Sequence, residues 1–459
     1  MKEMYLTEKF ARFIAETNYE SLPESVVYLA KERIMDTLGA AVAGSINWDY
    51  REQIKLACRH LGIGNCGVIG SNEKVFPAAH AAMIDATYAH AVELDDGHKN
   101  AGCHAGAVIV PTALVMGNAL GRTGKEIVAA VAIGYEITYR IAAHVNPAQI
   151  NKGFHPSSNC GAYGAMAAAG KLLALDAKQL ANGLGQAGML ASGTMEATKS
   201  GQRSKCVQVG NAAYNGIMAA YIAQTGMEGC LSALEGPNGL FNTQSENVDV
   251  EAVCQGLGTV WSIGDTYNKM YPSCRHAQPG IEAVLDLASE NNITPAQVES
   301  IWIGTHKVAY ELTGTITAPQ NSGEAKFSLA YGSAVALRDR RFGVVDLTPQ
   351  HYRDLELLAL ARKVTCVIDP DVQSAFPKKR GAKVKITLKD GRVFEKELYD
   401  LKGSPGNPVG WNELEGKFRS NAAAALSEEK IGAILSFIGA FEKQNSVEPL
   451  MNLLNEAPA

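Results

Sequence analysis

The chain has neither a large net charge nor clusters of basic residues. Its 42 lysines and arginines face 47 aspartates and glutamates, which gives a formal net charge of -5 over 459 residues. A nucleic-acid-binding protein usually carries a basic stripe with interleaved aromatic residues, and the sequence contains none. We therefore expect no nucleic-acid partner.

Long apolar runs are also scarce. The longest, AGAVIVPTALVMGNALG at 105–121, is interrupted by Pro111 and Asn118 and is shorter than the roughly 20 residues that span a bilayer. The first ten residues, MKEMYLTEKF, lack the apolar segment of a secretory leader. We expect a soluble protein that makes no membrane contact.

The usual signatures of thiol, metal and nucleotide chemistry are missing. The nine cysteines include no CxxC pair, which is typical of reduced thiols in the cytoplasm. No HExxH or GxSxG motif is present. GNALGRTGKE resembles a phosphate-binding loop, but Ala119 stands where its first glycine belongs and Glu126 follows the lysine. We expect a cytoplasmic protein that binds no nucleotide.

What is present is a strong helical pattern over residues 7–260. A chain of this length exceeds the needs of one hydrophobic core, so two domains are expected. Thr123-x-x-Glu126 is a capping box, which marks a helix start. Segments 159–170 and 211–223 are rich in Ala and Gly, which lets helices pack closely. A helical stripe along 22–44 is formed by Val26, Ala30, Ile34 and Leu38.

The pattern changes near residue 266. Stretches 298–306, 363–369 and 382–399 alternate apolar and polar residues, as half-buried strands do, and Asp390-Gly391 marks a hairpin turn. Helical sequence resumes after the loop at 401–411. We predict a mainly α protein in which a smaller α+β lid domain, 266–400, is inserted into a large all-helical domain formed by 1–265 and 401–459. The cleft between them is the expected ligand site.

Titratable residues concentrate in LDDGHKNAGCHAG at 94–106. One interpretation is a metal site whose ligands are Asp95, Asp96, His98 and His104. A second makes His104 a proton-transfer group, since histidine titrates near neutral pH, with Asp96 orienting it or holding the loop. A third is a solvated loop whose aspartates cap backbone amides. Because no second ligand cluster accompanies this stretch, we expect no metal.

Three further stretches are candidates for anion binding. His155 precedes a proline at an expected helix start, where the helix dipole keeps an imidazole neutral and attracts anions. TKSGQRSKCVQVGNAA places Arg203 and Lys205 just before another helix. At the expected domain junction, NKMYPSCRHAQPG supplies Lys269, Arg275 and His276. The plainer interpretations are a capping histidine, a surface turn and a hinge loop.

Several motifs together resemble the MmgE/PrpD family in order and spacing. They are HAVELDDGH, CHAG, GFHPSS, KCVQVGNAA, KMYPSCRHAQPGIEA and LKGSPGNP, and they extend over nearly the whole chain. The family includes 2-methylcitrate dehydratase, cis-aconitate decarboxylase and iminodisuccinate epimerase, which act on small polycarboxylates without metal or organic cofactor. The resemblance implies a helical domain with an α+β lid, a homodimer, a small polycarboxylate substrate and no cofactor.

Residues and resemblance together imply two sets of site residues. The catalytic set is His104, His155, Lys205, Asp96 and Tyr331. The substrate-binding set is Lys269, Arg275, Glu93, Arg203, His276 and Cys274. Compared with the decarboxylase branch, Glu93 replaces Asp, Gly97 replaces Thr and Cys274 replaces a second lid His. YPSCRHA looks more like the dehydratase and epimerase branches.

The reaction expected from this resemblance is a dehydration of the 2-methylcitrate dehydratase type. A proton alpha to a carboxylate is removed while Lys205, Lys269 and Arg275 stabilise the developing charge. His104 and His155 form the acid/base pair. The alternatives are epimerisation of a dicarboxylate, decarboxylation of cis-aconitate, and a non-catalytic protein that binds carboxylates.

Overall fold

The computed structural model describes residues 4–199 and 202–456, and the protein is mainly α-helical, as the sequence predicts. The elements up to residue 254 are α1 (Leu6–Glu16), α2 (Glu24–Asn47), α3 (Arg51–Arg59), β1 (Cys66–Gly67), β2 (Lys74–Phe76), α4 (Ala78–Ala91), β3 (Gly97–His98), α5 (Ala105–Ala119), α6 (Gly124–Val145), α7 (Ala148–Asn151), α8 (Pro156–Leu172), α9 (Ala177–Leu190), α10 (Glu196–Lys199), α11 (Val207–Gln224), α12 (Leu240–Gln244) and α13 (Val250–Cys254).

The remainder of the chain mixes helices with longer strands. Its elements are β4 (Thr266–Tyr267), α14 (Gln278–Glu290), β5 (Val298–Thr305), α15 (Lys307–Thr313), α16 (Ser322–Lys326), α17 (Leu329–Asp339), α18 (Pro349–Tyr352), α19 (Leu355–Ala361), β6 (Val364–Ile368), α20 (Pro370–Ala375), β7 (Ala382–Leu388), β8 (Val393–Leu398), α21 (Trp411–Ala422), α22 (Glu428–Gly439) and α23 (Glu448–Asn455). Within the described ranges, none of these helices is both long and apolar enough to cross a membrane.

Helix ends follow the local chemistry of the sequence. Thr123 caps α6, and the Glu126 carboxylate accepts a hydrogen bond from the Thr123 backbone N–H at 2.8 Å, so the predicted capping box is confirmed. Helix α2 starts after Pro23, whose fixed φ suits the entry to a helix. All four residues of its predicted stripe are buried.

Glycine allows the central helices to approach one another closely. A Cβ atom at Gly164 of α8 would lie 1.9 Å from Thr138 Oγ1 of α6. A Cβ atom at Gly216 of α11 would lie 2.3 Å from the Cβ of Ala165 on α8. Both separations are far inside van der Waals contact, so only glycine fits at these helix crossings.

Two hydrophobic cores organise the protein. The larger core draws its residues from 6–263 and 409–454, whereas the smaller one draws them from 271–388. The smaller core covers a four-stranded sheet of order β6-β5-β7-β8, in which β5 is parallel to β6 and antiparallel to β7. Gly391 has a φ of 90° in the turn between β7 and β8, as the predicted hairpin requires. The exact domain boundaries at 266 and 400 remain a prediction.

The expectation of a purely helical segment 1–265 is wrong in detail. Strands β1 and β2 pair with each other, and β3 pairs with β4 across the predicted boundary. In the second pair Gly97 faces Tyr267 and His98 faces Thr266. Strands of two or three residues satisfy the backbone groups of buried loops, and they give no periodic signal in the sequence. The pairing of β3 with β4 fixes the titratable loop at 94–106 beside the segment that begins at 266.

Candidate active site

The loop that follows α4 carries most of the site. His90 lies in the last turn of α4, and Glu93 has a φ of 55°, a conformation that is uncommon for residues other than glycine. The strand pair β3–β4 then holds the loop until His104, the N-cap residue of α5. Two helix ends and one strand pair therefore position a short stretch of acidic and imidazole side chains.

The Glu93 carboxylate lies between two lysines. Lys269 Nζ donates a hydrogen bond to Glu93 Oε2 at 2.7 Å, and Lys205 Nζ donates to Glu93 Oε1. Lys269 is only 1% exposed and Glu93 only 5%. Although burial acts in the opposite direction, Lys205 and Lys269 hold the pKa of Glu93 well below its usual value. The ionised carboxylate and the two ammonium groups thus form one buried cluster.

Asp95 and His90 form a second buried pair beside this cluster. His90 Nδ1 lies 2.7 Å from Asp95 Oδ2, and Lys269 Nζ lies 3.9 Å from Asp95 Oδ1. Burial opposes ionisation, but His90, His104 and Lys269 lower the pKa of Asp95. The His90 Nε2 atom is buried and has no hydrogen-bond partner among the described residues. The Glu93 carboxylate lies within ion-pair distance of this nitrogen, with its Oε1 atom 4.0 Å away.

His104 is held in one tautomer. Its Nδ1 atom lies 2.6 Å from the Asp96 carbonyl oxygen, and a carbonyl only accepts, so Nδ1 carries the proton. Burial, assisted by the Lys269 charge, lowers the pKa of His104 to about 3. The ring is consequently neutral at pH 7, and its Nε2 atom has a lone pair available to take a proton.

His155 is the N-cap residue of α8, as the sequence predicts from the following proline. It is 4% exposed, and its Nδ1 atom has no hydrogen-bond partner among the described residues. Burial, with a contribution from Lys205, lowers the pKa of His155 well below its usual value. The ring centres of His104 and His155 lie 5.0 and 6.3 Å from that of His90. The structure thus brings three imidazoles together.

The side chains that could hold a metal differ from the predicted set. His90, Asp95 and His104 each offer a ligand atom within 4.8 Å of the others. Asp96 instead accepts hydrogen bonds from Tyr135 and from a backbone amide, and His98 packs on the Tyr139 ring at 4.6 Å. The Lys269 ammonium beside Asp95 disfavours a second cation there. The absence of a metal remains a prediction.

A small pocket lies beside this cluster, and its lining does not include His104, His155 or Lys269. Its walls include His90, Glu93, Lys205 and, from the other core, Lys326 and Phe327. The cavity volume of about 20 Å³ has room for about one water molecule, so a larger ligand requires the walls to separate. Buried Lys326 donates to the Ala91 carbonyl oxygen at 2.7 Å, and no carboxylate of the described chain forms an ion pair with it.

Of four further predicted residues, two line the pocket, namely Arg203 and Glu93. Arg203 lines it, but its guanidinium pairs with Asp49 at 2.7 Å and with the Tyr50 hydroxyl. The Cys274 backbone N–H donates to the Lys326 carbonyl oxygen at 3.0 Å. Asp96 is fully buried, and burial raises its pKa to about 7. The Asp96 carbonyl oxygen orients His104, which is a positioning role, whereas Glu93 is occupied by its lysines.

Three other predicted residues do not line the pocket. The Tyr331 hydroxyl donates to the Asp346 carbonyl oxygen at 2.6 Å inside the smaller core. The Arg275 guanidinium lies 4.7 Å from the centre of the Tyr267 ring and lines a second pocket, which Cys274 does not. His276 Nδ1 lies 3.4 Å from His306 Nε2. These contacts are tertiary, so motif order along the chain does not reveal them.

Two pocket residues were missed by the sequence analysis. His90 belongs to the quoted motif HAVELDDGH, and Lys326 belongs to EAKFSLAY, the stretch that contains Tyr331. His90 occupies a helical position, where a histidine is usually a packing residue, and this context hides its role. The signal that could have revealed this role is spacing. His90 stands three residues before Glu93 and five residues before Asp95.

The whole chain has recognisable relatives. Residues 8–252 match the MmgE/PrpD N-terminal domain, and residues 271–438 match the MmgE/PrpD C-terminal domain. Cis-aconitate decarboxylase from Aspergillus terreus is 25% identical over 473 residues, which cover 98% of this chain and 96% of that protein. The cis-aconitate decarboxylases of Mus musculus and Homo sapiens are also 25% identical, over 98% of this chain and 93% and 94% of theirs. The family resemblance is confirmed for both cores.

Proposed function

The chain belongs to the MmgE/PrpD family, and we propose that it is a cofactor-independent lyase that acts on a small di- or tricarboxylate. The proposal rests on one observation: two lysines clamp a carboxylate beside the buried imidazoles of His104 and His155, whose pKa values are lowered by burial. This arrangement combines anion binding with proton transfer, the two requirements of chemistry at a carbon next to a carboxylate.

The lysines are the proposed binding groups for substrate. Lys205 and Lys269 already hold the Glu93 carboxylate, which supports their ability to hold a carboxylate of the substrate in the same way. Lys326 adds a third cation to the pocket wall. When negative charge spreads from the reacting carbon into the adjacent carboxylate, these ammonium groups stabilise it.

The imidazoles are the proposed acid and base. In a dehydration, His104 Nε2 takes the proton alpha to the carboxylate and the electron pair forms the double bond. The carbon–oxygen bond then breaks, and the departing hydroxide leaves as water after His155 supplies a proton. His155 first takes up that proton when the anionic substrate binds, since nearby negative charge raises an imidazole pKa. Dehydration is the first candidate because YPSCRHA resembles the dehydratase and epimerase branches, and a neutral His104 supplies the base that this reaction needs.

Decarboxylation is the second candidate, and the names of the relatives favour it. In that reaction the carbon–carbon bond to one carboxylate breaks, carbon dioxide leaves, and a protonated imidazole delivers its proton to the carbanion. Decarboxylation therefore requires a histidine that is already protonated before the carbon–carbon bond breaks. Epimerisation needs only removal and return of one proton on opposite faces of a carbon, so His104 and His155 would serve as the two bases.

Proton NMR of the purified protein with 2-methylcitrate, citrate, cis-aconitate and aspartate-derived dicarboxylates tests the proposal. Vinylic signals from a hydroxy acid identify a dehydratase, and itaconate signals from cis-aconitate identify a decarboxylase. Deuterium entry with no other change identifies an epimerase. Binding of these acids without any reaction would favour the non-catalytic alternative. We also propose a homodimer in the cytoplasm, and light scattering of the purified protein tests the dimer.

A further inference from the structure

A second, larger pocket shares no lining residue with the one beside Glu93. Its cavity volume is about 540 Å³, within the range of small-molecule sites. Strand residues Tyr267 and His98 form part of its wall, together with the segment 378–380 and the loop 399–406. Lys269, two residues after Tyr267, binds Glu93 in the candidate active site. One short segment therefore contributes both to the candidate active site and to this second pocket.

This pocket is strongly cationic although the whole chain has a formal net charge of -5. Two carboxylates in its wall are opposed by five basic side chains, namely Lys99, Arg275, Lys378, Lys379 and Arg380. One of the two carboxylates, Asp265, already interacts with His98 Nε2 at 3.8 Å. Burial, followed by the charge of Arg380, lowers the pKa of Lys99, as expected where positive charge is left uncompensated.

Arg275 gives the pocket a buried cation without an ionic partner. It is 6% exposed, and its guanidinium donates only to neutral groups: the Asn268 carbonyl at 3.2 Å, Gln278 Oε1 at 2.7 Å and Ser404 Oγ at 2.7 Å. No ion pair to Arg275 exists among the residues that the structure describes, although the charge of Glu282, acting from beyond ion-pair distance, partly offsets the lowering of the guanidinium pKa by burial. A buried guanidinium normally pairs with a carboxylate or phosphate. The Nε atom of Arg380 is likewise buried and unpartnered.

We propose that this pocket binds a small organic anion with two or more negative groups, at a site distinct from the one at Glu93. The ligand is a polycarboxylate or a phosphate compound, because both present the paired oxygens that a guanidinium fork and neighbouring ammonium groups recognise. The inference does not rest on the proposed lyase function, since none of the pocket's basic residues contacts the imidazole cluster.

Isothermal titration calorimetry with two probes, citrate and inorganic pyrophosphate, tests the site. The informative variant is Lys378→Glu/Lys379→Glu, because both side chains are exposed and line the pocket. The matched control is Lys178→Glu/Lys443→Glu, which makes the same charge change at exposed positions outside it. Lys379→Gln is a milder second variant for use if the double variant fails to fold, as judged by circular dichroism.

We expect wild type and control to bind at least one probe at this site. The charge-reversed variant should bind that probe about tenfold or more weakly, which corresponds to about 1.4 kcal/mol. Tighter binding of citrate would identify a polycarboxylate, and tighter binding of pyrophosphate a phosphate compound. The proposal is overturned if wild type binds neither probe, or if the charge-reversed variant and its control bind both probes equally tightly.

Discussion

Lys269 Nζ donates a hydrogen bond to Glu93 Oε2 at 2.7 Å, although the two residues are 176 positions apart in the chain. One end of this contact lies in the loop after α4, and the other follows β4. Because both groups are almost completely buried, removing one charge would leave the other buried and unpaired, which would destabilise the folded state. The Lys269–Glu93 pair thus contributes both to the stability of the fold and to the electrostatics of the site.

Replacement of Lys269 by Met should destabilise the protein. Glu93 and Asp95 would each lose a buried cationic neighbour, and breaking such a pair costs about 3–5 kcal/mol. Urea denaturation of Lys269→Met, with the exposed Lys178→Met as control, measures the difference in the free energy of unfolding. Adding Glu93→Gln to Lys269→Met should recover part of the loss. Equal stability of Lys269→Met and the control would refute the buried pair.

Replacement of His155 by Ala should lower turnover by about 10²- to 10⁴-fold, the usual contribution of a proton-transfer group. His155 is buried with an unpartnered nitrogen, so its removal deletes the acid without breaking a hydrogen bond of that nitrogen. The matched control is His60→Ala, since His60 is exposed. Steady-state kinetics on the substrate found by NMR, with thermal melts to confirm folding, gives the comparison. A fully active His155→Ala would remove His155 from the mechanism.

Dialysis against EDTA should leave turnover unchanged. His90, Asp95 and His104 could offer ligands to a metal, but Lys269 supplies the positive charge at Asp95. Activity before and after chelation, with metal analysis of the same sample, checks this. Loss of activity that returns on adding Zn²⁺ or Mn²⁺ would show instead that the three residues form a metal centre.

The free energy of unfolding should fall as the pH rises from about 4 to 8, because of the buried carboxyl group of Asp85. Burial raises its pKa from 3.8 to about 8, and its Oδ1 accepts only one backbone hydrogen bond, from Ile69 at 2.9 Å. Between these values the folded state keeps a proton that the unfolded state releases, so rising pH favours unfolding. Asp85→Asn should show a smaller loss of melting temperature over this range than wild type or the exposed control Glu299→Gln. Parallel curves for Asp85→Asn and wild type would contradict this assignment.

The sequence predicts the helices, caps and strands that depend only on residues close together in the chain. The capping box at Thr123 and Glu126, the stripe along α2 and the strands at 298–305, 364–368 and 382–398 each follow from periodicity or capping preferences. Local sequence singled out His104, His155, Lys205 and Lys269 one by one, but only the resemblance joined them into one site, because they come from four separate segments.

The remaining contacts depend on packing. Arg275 and Cys274 are adjacent in sequence, yet Arg275 lines the larger pocket and Cys274 does not. Tyr331 is directed into the smaller core by its hydrogen bond to Asp346. Lys326 reaches the pocket only because α16 packs near the end of α4. None of these orientations leaves a periodic signal in the chain.

Exchange of the substrate's alpha proton in D₂O tests the central claim most directly. Wild type should incorporate deuterium at the carbon next to the carboxylate, as seen by proton NMR, because His104 and His155 transfer protons there. His104→Gln and His155→Gln should exchange about 10²-fold or more slowly, whereas His60→Gln should match wild type. Equal exchange in all four proteins, or none in wild type with a substrate that it converts, would contradict proton transfer by these two histidines.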